Sequence, residues 1–164
     1  MDLHRTESGV TVSRWIYGQL PSPYYSGLVK FEGQCDRLQH YELRIPSIAI
    51  NKSVYTPVGT GGPDRPAVDK TYINVSYNFM TPVDDGLTRY FWFQHRNTDP
   101  NDESVSKFMN DGARMAFEED RAVLTEVHKG MRDRHTPNID LRLDAGAKLF
   151  RKQLQQRIDN ENSN

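Results

Sequence analysis

Apolar residues recur with helical spacing over residues 101–131, the longest pattern of this kind in the chain. At about 100° per residue they fall on one broad stripe, made of Val105, Phe108, Met109, Ala113, Ala116, Val123, Leu124, Val127 and Met131. Asp120 lies inside this stripe, one turn from Ala116 and from Leu124. A carboxylate turned to the interior costs several kcal/mol unless a cation replaces the lost water. The pattern therefore predicts either a structural ion pair with an arginine or a metal ligand at Asp120.

Alternation of apolar and polar residues before this helix predicts antiparallel strands. They cover residues 10–17, 38–45, 48–55, 71–80 and 87–96. Residues 24–31 are predicted as either a short strand or a loop. The last strand carries Tyr90, Phe91, Trp92 and Phe93 in a row, so both of its faces are apolar. Since a strand covered on both sides is central, a helix is expected on one face and a second cover, such as a ligand cavity, on the other.

A second helix is predicted from Asp144, because Ala147, Phe150, Leu154 and Ile158 follow at helical spacing. Strands followed by two helices indicate an α+β fold, with an antiparallel sheet and a long C-terminal helix packed on it. The 164 residues are expected to form a single domain. The glycine- and proline-rich stretch 56–66 predicts an exposed loop, and it lacks the Gly-Lys-Ser/Thr signature of a phosphate loop.

Composition narrows the functional class. The 21 basic and 22 acidic residues are spread without long runs, so neither nucleic acid nor an anionic membrane is an expected partner. No stretch approaches the roughly 20 apolar residues of a membrane span, and a cytoplasmic location is expected. A single cysteine, Cys35, excludes a disulfide framework and any iron-sulfur cluster that needs two cysteine ligands.

The string FEEDRAVLTE at residues 117–126 carries a family resemblance. It follows a strand that ends in WFQHRN and a DPND link at residues 99–102. Together these strings resemble the last part of the catalytic domain of Rieske-type non-haem iron oxygenase α subunits, most closely the vanillate O-demethylase group. The resemblance implies a helix-grip fold and an Fe(II) site held by two histidines and one carboxylate, a role that falls on Asp120. Such a ligand set leaves coordination positions open for O₂.

The two histidine ligands have no counterpart among the five histidines His4, His40, His95, His128 and His135. In the family they come from an upstream D-x-x-H-x-x-x-x-H string, and no two histidines here have that spacing. The chain is therefore expected to be the C-terminal portion of a catalytic domain. The histidine-pair helix and the Rieske domain with its [2Fe-2S] cluster are expected to be absent from it, and this chain alone is expected to be inactive.

Substrate contacts are predicted on the aromatic strand and its partner. Tyr90 and Trp92 share a sheet face, and the amide of Asn78 could hydrogen-bond an aromatic carboxylate or phenol. The alternatives are ordinary core packing for Trp92 and an amide at a sheet edge or in solvent for Asn78. Asp111 is a further candidate, near the site only if the long helix is distorted at Gly112.

The resemblance also implies an activity. The parent protein would take electrons from a reductase or ferredoxin and use O₂ for oxidative O-demethylation of a methoxylated aromatic acid, or for ring or side-chain hydroxylation. Homotrimers are common in the family. Two alternatives stay open at this point: a non-catalytic helix-grip module that binds an apolar ligand, and a purely structural subunit of a larger oxygenase.

Overall fold

The fold is described by a computed structural model for residues 1–132 and 139–163. It contains one six-stranded sheet in the order β1-β2-β3-β4-β5-β6, with every neighbouring pair antiparallel. The strands are β1 (Asp2–Arg5), β2 (Gly9–Gln19), β3 (Cys35–Arg44), β4 (Ile48–Pro57), β5 (Tyr72–Asp84) and β6 (Leu87–Arg96). The helices are α1 (Pro23–Ser26), α2 (Glu103–Arg132) and α3 (Ala145–Asn162), with a 3-10 turn at Arg142–Asp144. The predicted α+β class is confirmed.

The predicted strands and helices are present, with two differences. β1 was not predicted, because four residues are too few to show alternation. Residues 24–31, predicted as a short strand or a loop, begin inside the one-turn helix α1, where Pro23 occupies the first turn. His135 and the predicted helix stop at residues 136–138 lie outside the described residues.

The expectation that the aromatic strand is central was wrong. β6 is the last strand of the sheet and pairs with β5 along one edge. Its aromatic run supplies large side chains to both faces, but Tyr90 is 45% exposed, Phe91 57% and Phe93 44%. An apolar side chain on a strand therefore does not show that another element of the chain packs over it.

Strand register divides the sheet into two faces, because residues paired across strands lie on the same side. One side, here called the tyrosine face, carries Arg37, Tyr55, Tyr72, Asn74, Asn78, Tyr90 and Trp92. The other, here called the pocket face, carries Trp15, Leu38, Lys52, Val54 and Ile73. Val10, Tyr55 and Tyr72, each at most 1% exposed, belong to the tyrosine face. The core of the sheet therefore lies on that side.

Helix α3 packs against the β1–β2 end of the tyrosine face. Gly146 lies so near β2 that a Cβ there would stand 2.9 Å from the Val12 side chain. Nη2 of Arg157 donates a hydrogen bond of 2.6 Å to the carbonyl of Glu7 in the β1–β2 turn. These contacts hold the C-terminal helix on the sheet.

The chain forms two compact units, Met1–Thr98 with Leu141–Asn164, and Asp99–Asp140. The first contains the sheet and α3, and the second contains α2. Among the described residues, no helix has both the length and the apolar character needed to cross a bilayer.

Candidate functional site

Helix α2 begins at a side-chain cap and runs for 30 residues. Oδ1 of Asp102 accepts hydrogen bonds from the backbone N–H groups of Ser104 (2.8 Å) and Val105 (3.3 Å). These bonds satisfy two of the donors that every helix start leaves open. The local sequence therefore fixes where α2 starts.

Asp120 is exposed on α2. Its stripe neighbours are exposed as well: Val123 is 62% exposed, Leu124 64% and Val127 48%. The expectation that Asp120 turns into an interior was therefore wrong for this chain, because the apolar stripe around it is itself uncovered. The metal-ligand role of Asp120 stays a prediction.

Asp111 lies on the same helix and forms an exposed i,i+4 ion pair with Lys107, at 2.5 Å. α2 is continuous through Gly112, so the distortion on which its site role depended is not present. At about 1.5 Å rise per residue, Asp111 and Asp120 are roughly 13 Å apart along the axis. The two acids of α2 therefore do not form one cluster, and a substrate contact by Asp111 stays a prediction.

The three substrate-contact candidates of the sheet come together on the tyrosine face. Asn78 is directly opposite Trp92 in the β5–β6 register, and the Tyr90 hydroxyl donates a 2.9 Å hydrogen bond to Oδ1 of Asn78. Nδ2 of Asn78 donates to the carbonyl of Ala49 at 3.2 Å, and Asn78 is only 2% exposed. The alternative of a solvent-facing amide is excluded. Both ends of the Asn78 amide have partners in the sheet, which fixes its orientation.

Asn74 lies on the tyrosine face as well, four residues before Asn78 on β5, and it was not predicted as a site residue from the sequence. It is 5% exposed, and within the described residues its Oδ1 atom has no hydrogen-bond partner. A buried acceptor without a donor costs free energy and is a group that a bound ligand or water can satisfy. The signal was in the sequence, since Asn74, Ser76 and Asn78 alternate with the apolar residues of β5.

A cluster of tyrosines continues the tyrosine face. The ring of Tyr25 lies 4.6 Å from that of Tyr55 and 5.8 Å from that of Tyr72, centroid to centroid. Burial raises the pKa of Tyr24 to about 12 and also raises the pKa of Tyr72. These phenols therefore stay neutral hydrogen-bond donors throughout the physiological pH range.

A comparison of the chain with models of known protein families shows which family it belongs to. The family model described as the vanillate O-demethylase oxygenase C-terminal domain matches residues 1–160. The chain belongs to this family. The resemblance of the string around Asp120 is thereby confirmed at family level.

Two curated proteins are similar to this chain over most of its length. The iron-sulfur subunit of the toluene-4-sulfonate monooxygenase system of Comamonas testosteroni is 30% identical over 155 residues, which are 93% of this chain and 44% of that subunit. The vanillate O-demethylase oxygenase subunit of a Pseudomonas species is 25% identical over 154 residues, 90% of this chain and 46% of that subunit. The chain thus spans less than half the length of either relative. No solved structure shows significant similarity to it.

The described residues do not form the site of two histidines and one carboxylate that the resemblance implies. His40 is bound to the Ser13 hydroxyl through Nδ1 at 2.6 Å, and His95 packs against the ring of Phe93 at 5.2 Å. Across residues 1–132 and 139–163, no three His, Cys, Asp or Glu side chains lie together as a metal site. Asp120 would therefore need its partner ligands from outside this set.

Proposed function

We propose that this chain is the C-terminal part of the catalytic domain of a Rieske-type non-haem iron monooxygenase. The match of the family model to residues 1–160 carries the proposal, because it includes the whole string around Asp120. In this proposal Asp120 is the carboxylate ligand of the mononuclear iron. Bound Fe(II) with open positions supplies O₂ activation, while the chain contributes one ligand and part of a pocket wall.

The names of the relatives support a substrate class. Vanillate is a methoxylated aromatic carboxylate, and toluene-4-sulfonate is a methylated aromatic sulfonate. Both are single aromatic rings that carry an acid group and a methyl carbon, attached directly or through oxygen. We extend this class to the present protein, with oxidative O-demethylation or ring or side-chain hydroxylation as the reaction.

On the tyrosine face, the proposed substrate contacts have complementary chemistry. Oδ1 of Asn74 can accept a hydrogen bond from a phenol, and Trp92 and Tyr90 offer aromatic surface for a ring. The hydrogen bond between Tyr90 and Asn78 holds both side chains in fixed positions. These residues would orient the substrate rather than react with it.

The proposed activity needs further components. One relative is named as a subunit of a monooxygenase system, which supports an assembly of several proteins. We propose that a reductase or ferredoxin supplies electrons through a [2Fe-2S] cluster outside this chain, and that the parent protein is a homotrimer.

The test is Asp120→Ala in the full-length protein. We expect loss of the mononuclear iron by metal analysis, while the visible absorption of the [2Fe-2S] cluster remains. Turnover of vanillate or toluene-4-sulfonate should fall by more than about 100-fold, since removing a ligand is at least as severe as removing a group that supports one.

The matched control is Glu119→Ala, which removes the neighbouring carboxylate on the same helix. It should keep both the mononuclear iron and the turnover. An Asp120→Ala protein that retains its iron would overturn the ligand assignment, whatever its turnover. Retention of iron and turnover together would overturn the proposed function of this chain.

A further inference from the structure

A cavity of about 190 Å³ opens on the pocket face, between the sheet and the loop at residues 58–71. Its floor includes the side chains of Trp15, Leu38 and Val54 from β2, β3 and β4. A 150 Å³ apolar cavity is known to hold a benzene molecule, so this cavity has room for a single aromatic ring. Trp15 offers such a ring a flat surface on which to pack.

The charged side chains that line the cavity are all basic. Lys52 and Arg65 are among the lining residues, and no acidic residue is. No carboxylate within residues 1–132 and 139–163 is within ion-pair distance of Lys52. Nη1 of Arg65 donates to the carbonyl of Gly59 at 2.6 Å, which anchors the guanidinium at the cavity. A cavity with two cations and no carboxylate favours an anion over a neutral molecule.

The loop over the cavity is held in place from below by Asp36. This carboxylate is 2% exposed and accepts hydrogen bonds from the backbone N–H groups of Gly18 (3.1 Å), Gly59 (2.7 Å) and Gly61 (3.1 Å). Gly61 fits so closely that a Cβ there would stand 2.7 Å from the Trp15 ring. The cavity is therefore formed before any ligand enters, and a preformed site loses less entropy on binding.

We propose that this cavity binds a small aromatic anion, one ring that carries a carboxylate or sulfonate. The ring packs on Trp15, and the acid group pairs with Lys52 and Arg65. The site lies on the opposite face of the sheet from Asn78 and does not rest on the proposed oxygenase activity.

Benzenesulfonate binding to the ¹⁵N-labelled chain tests the proposal by NMR. The chain has two tryptophans, one on each face of the sheet, so their indole N–H signals report the two faces separately. Benzenesulfonate should shift the Trp15 signal in a saturable way, whether or not the substrate contact proposed for Trp92 also moves that second signal. Lys52→Gln and Arg65→Gln should each weaken binding by about ten-fold, the size expected for loss of one charge-assisted hydrogen bond.

The matched control is Arg89→Gln, which removes the same charge from an exposed position of β6 that does not line the cavity. Its affinity should stay within about two-fold of the unchanged chain, and neutral benzyl alcohol should bind at least about ten-fold more weakly than benzenesulfonate. Dispersed spectra confirm that each variant is folded. The proposal is overturned if the Trp15 signal does not respond, or if Arg89→Gln weakens binding at Trp15 as much as Lys52→Gln does.

Discussion

Two regions of this chain each contain one notable aspartate, and they differ in whether the carboxylate has hydrogen-bond partners within the chain. Asp36 lies beneath the loop at residues 58–71, almost fully buried, and receives three backbone hydrogen bonds. Asp120 lies on α2, exposed within an apolar stripe that is itself exposed. Residues of the chain itself satisfy the first carboxylate, whereas the second has no such partner among the described residues. The comparison separates an acid that maintains the fold from an acid available for a role beyond it.

The strongest test of the comparison is Asp36→Ala. This change removes the acceptor of three N–H groups, of which the N–H of Gly61 is buried. Buried donors left without an acceptor cost about 1–3 kcal/mol each, less where water can enter. The free energy of unfolding, measured in urea, should fall by about 3 kcal/mol, and Asp36→Asn, which keeps one acceptor oxygen, should lose less.

Asp69→Ala is the matched control for Asp36, since it removes an exposed carboxylate from the same loop. Its free energy of unfolding should change by less than about 0.5 kcal/mol. An Asp36→Ala chain as stable as this control would mean that the loop does not depend on the carboxylate, and the distinction between the two regions would be lost.

A smaller effect is expected from Gly61→Ala, which tests how closely the loop packs. The added Cβ would stand 2.5 Å from the Cβ of Asp36 and 2.7 Å from the Trp15 ring. Overpacking of this kind costs about 1–3 kcal/mol, which urea unfolding can resolve. Gly27→Ala is the control, because no atom within 4 Å meets its added Cβ. Equal stability of the two variants would contradict the close packing of the loop on Trp15.

Much of the fold could be predicted from the sequence because strand and helix periods are local properties. Alternation located β2 to β6, and helical spacing located α2 and α3. The partners of Asp36 could not be predicted, since they are backbone N–H groups 18 to 25 positions away that leave no mark in the residue pattern. Whether a second layer covers an apolar face is also a non-local property. For that reason the edge position of β6 and the exposure of Asp120 were missed.

The proposed binding residues also include some whose proximity could be predicted from the sequence and some whose proximity could not. Asn78, Tyr90 and Trp92 were brought together by strand register, which follows from the hairpin and could be predicted from it. Lys52 and Arg65 could not be placed together, because the loop that carries Arg65 folds back over the sheet through contacts distant in sequence. Residues on the two strands of one hairpin are thus easier to place together from sequence than charges on elements that meet only through distant contacts.

The smallest expected effect is that of Asp120→Ala on the stability of this chain. Because Asp120 is exposed and has no hydrogen bond or ion pair among the described residues, removing it should change the free energy of unfolding by less than about 0.5 kcal/mol. Ala113→Asp is the control on the same helix, since it places a carboxylate at a position that is only 8% exposed. That change should cost at least about 2 kcal/mol, because an unpaired charge is buried. If Asp120→Ala destabilised the chain as much as Ala113→Asp, Asp120 would have a structural partner, and its availability as a ligand would be contradicted.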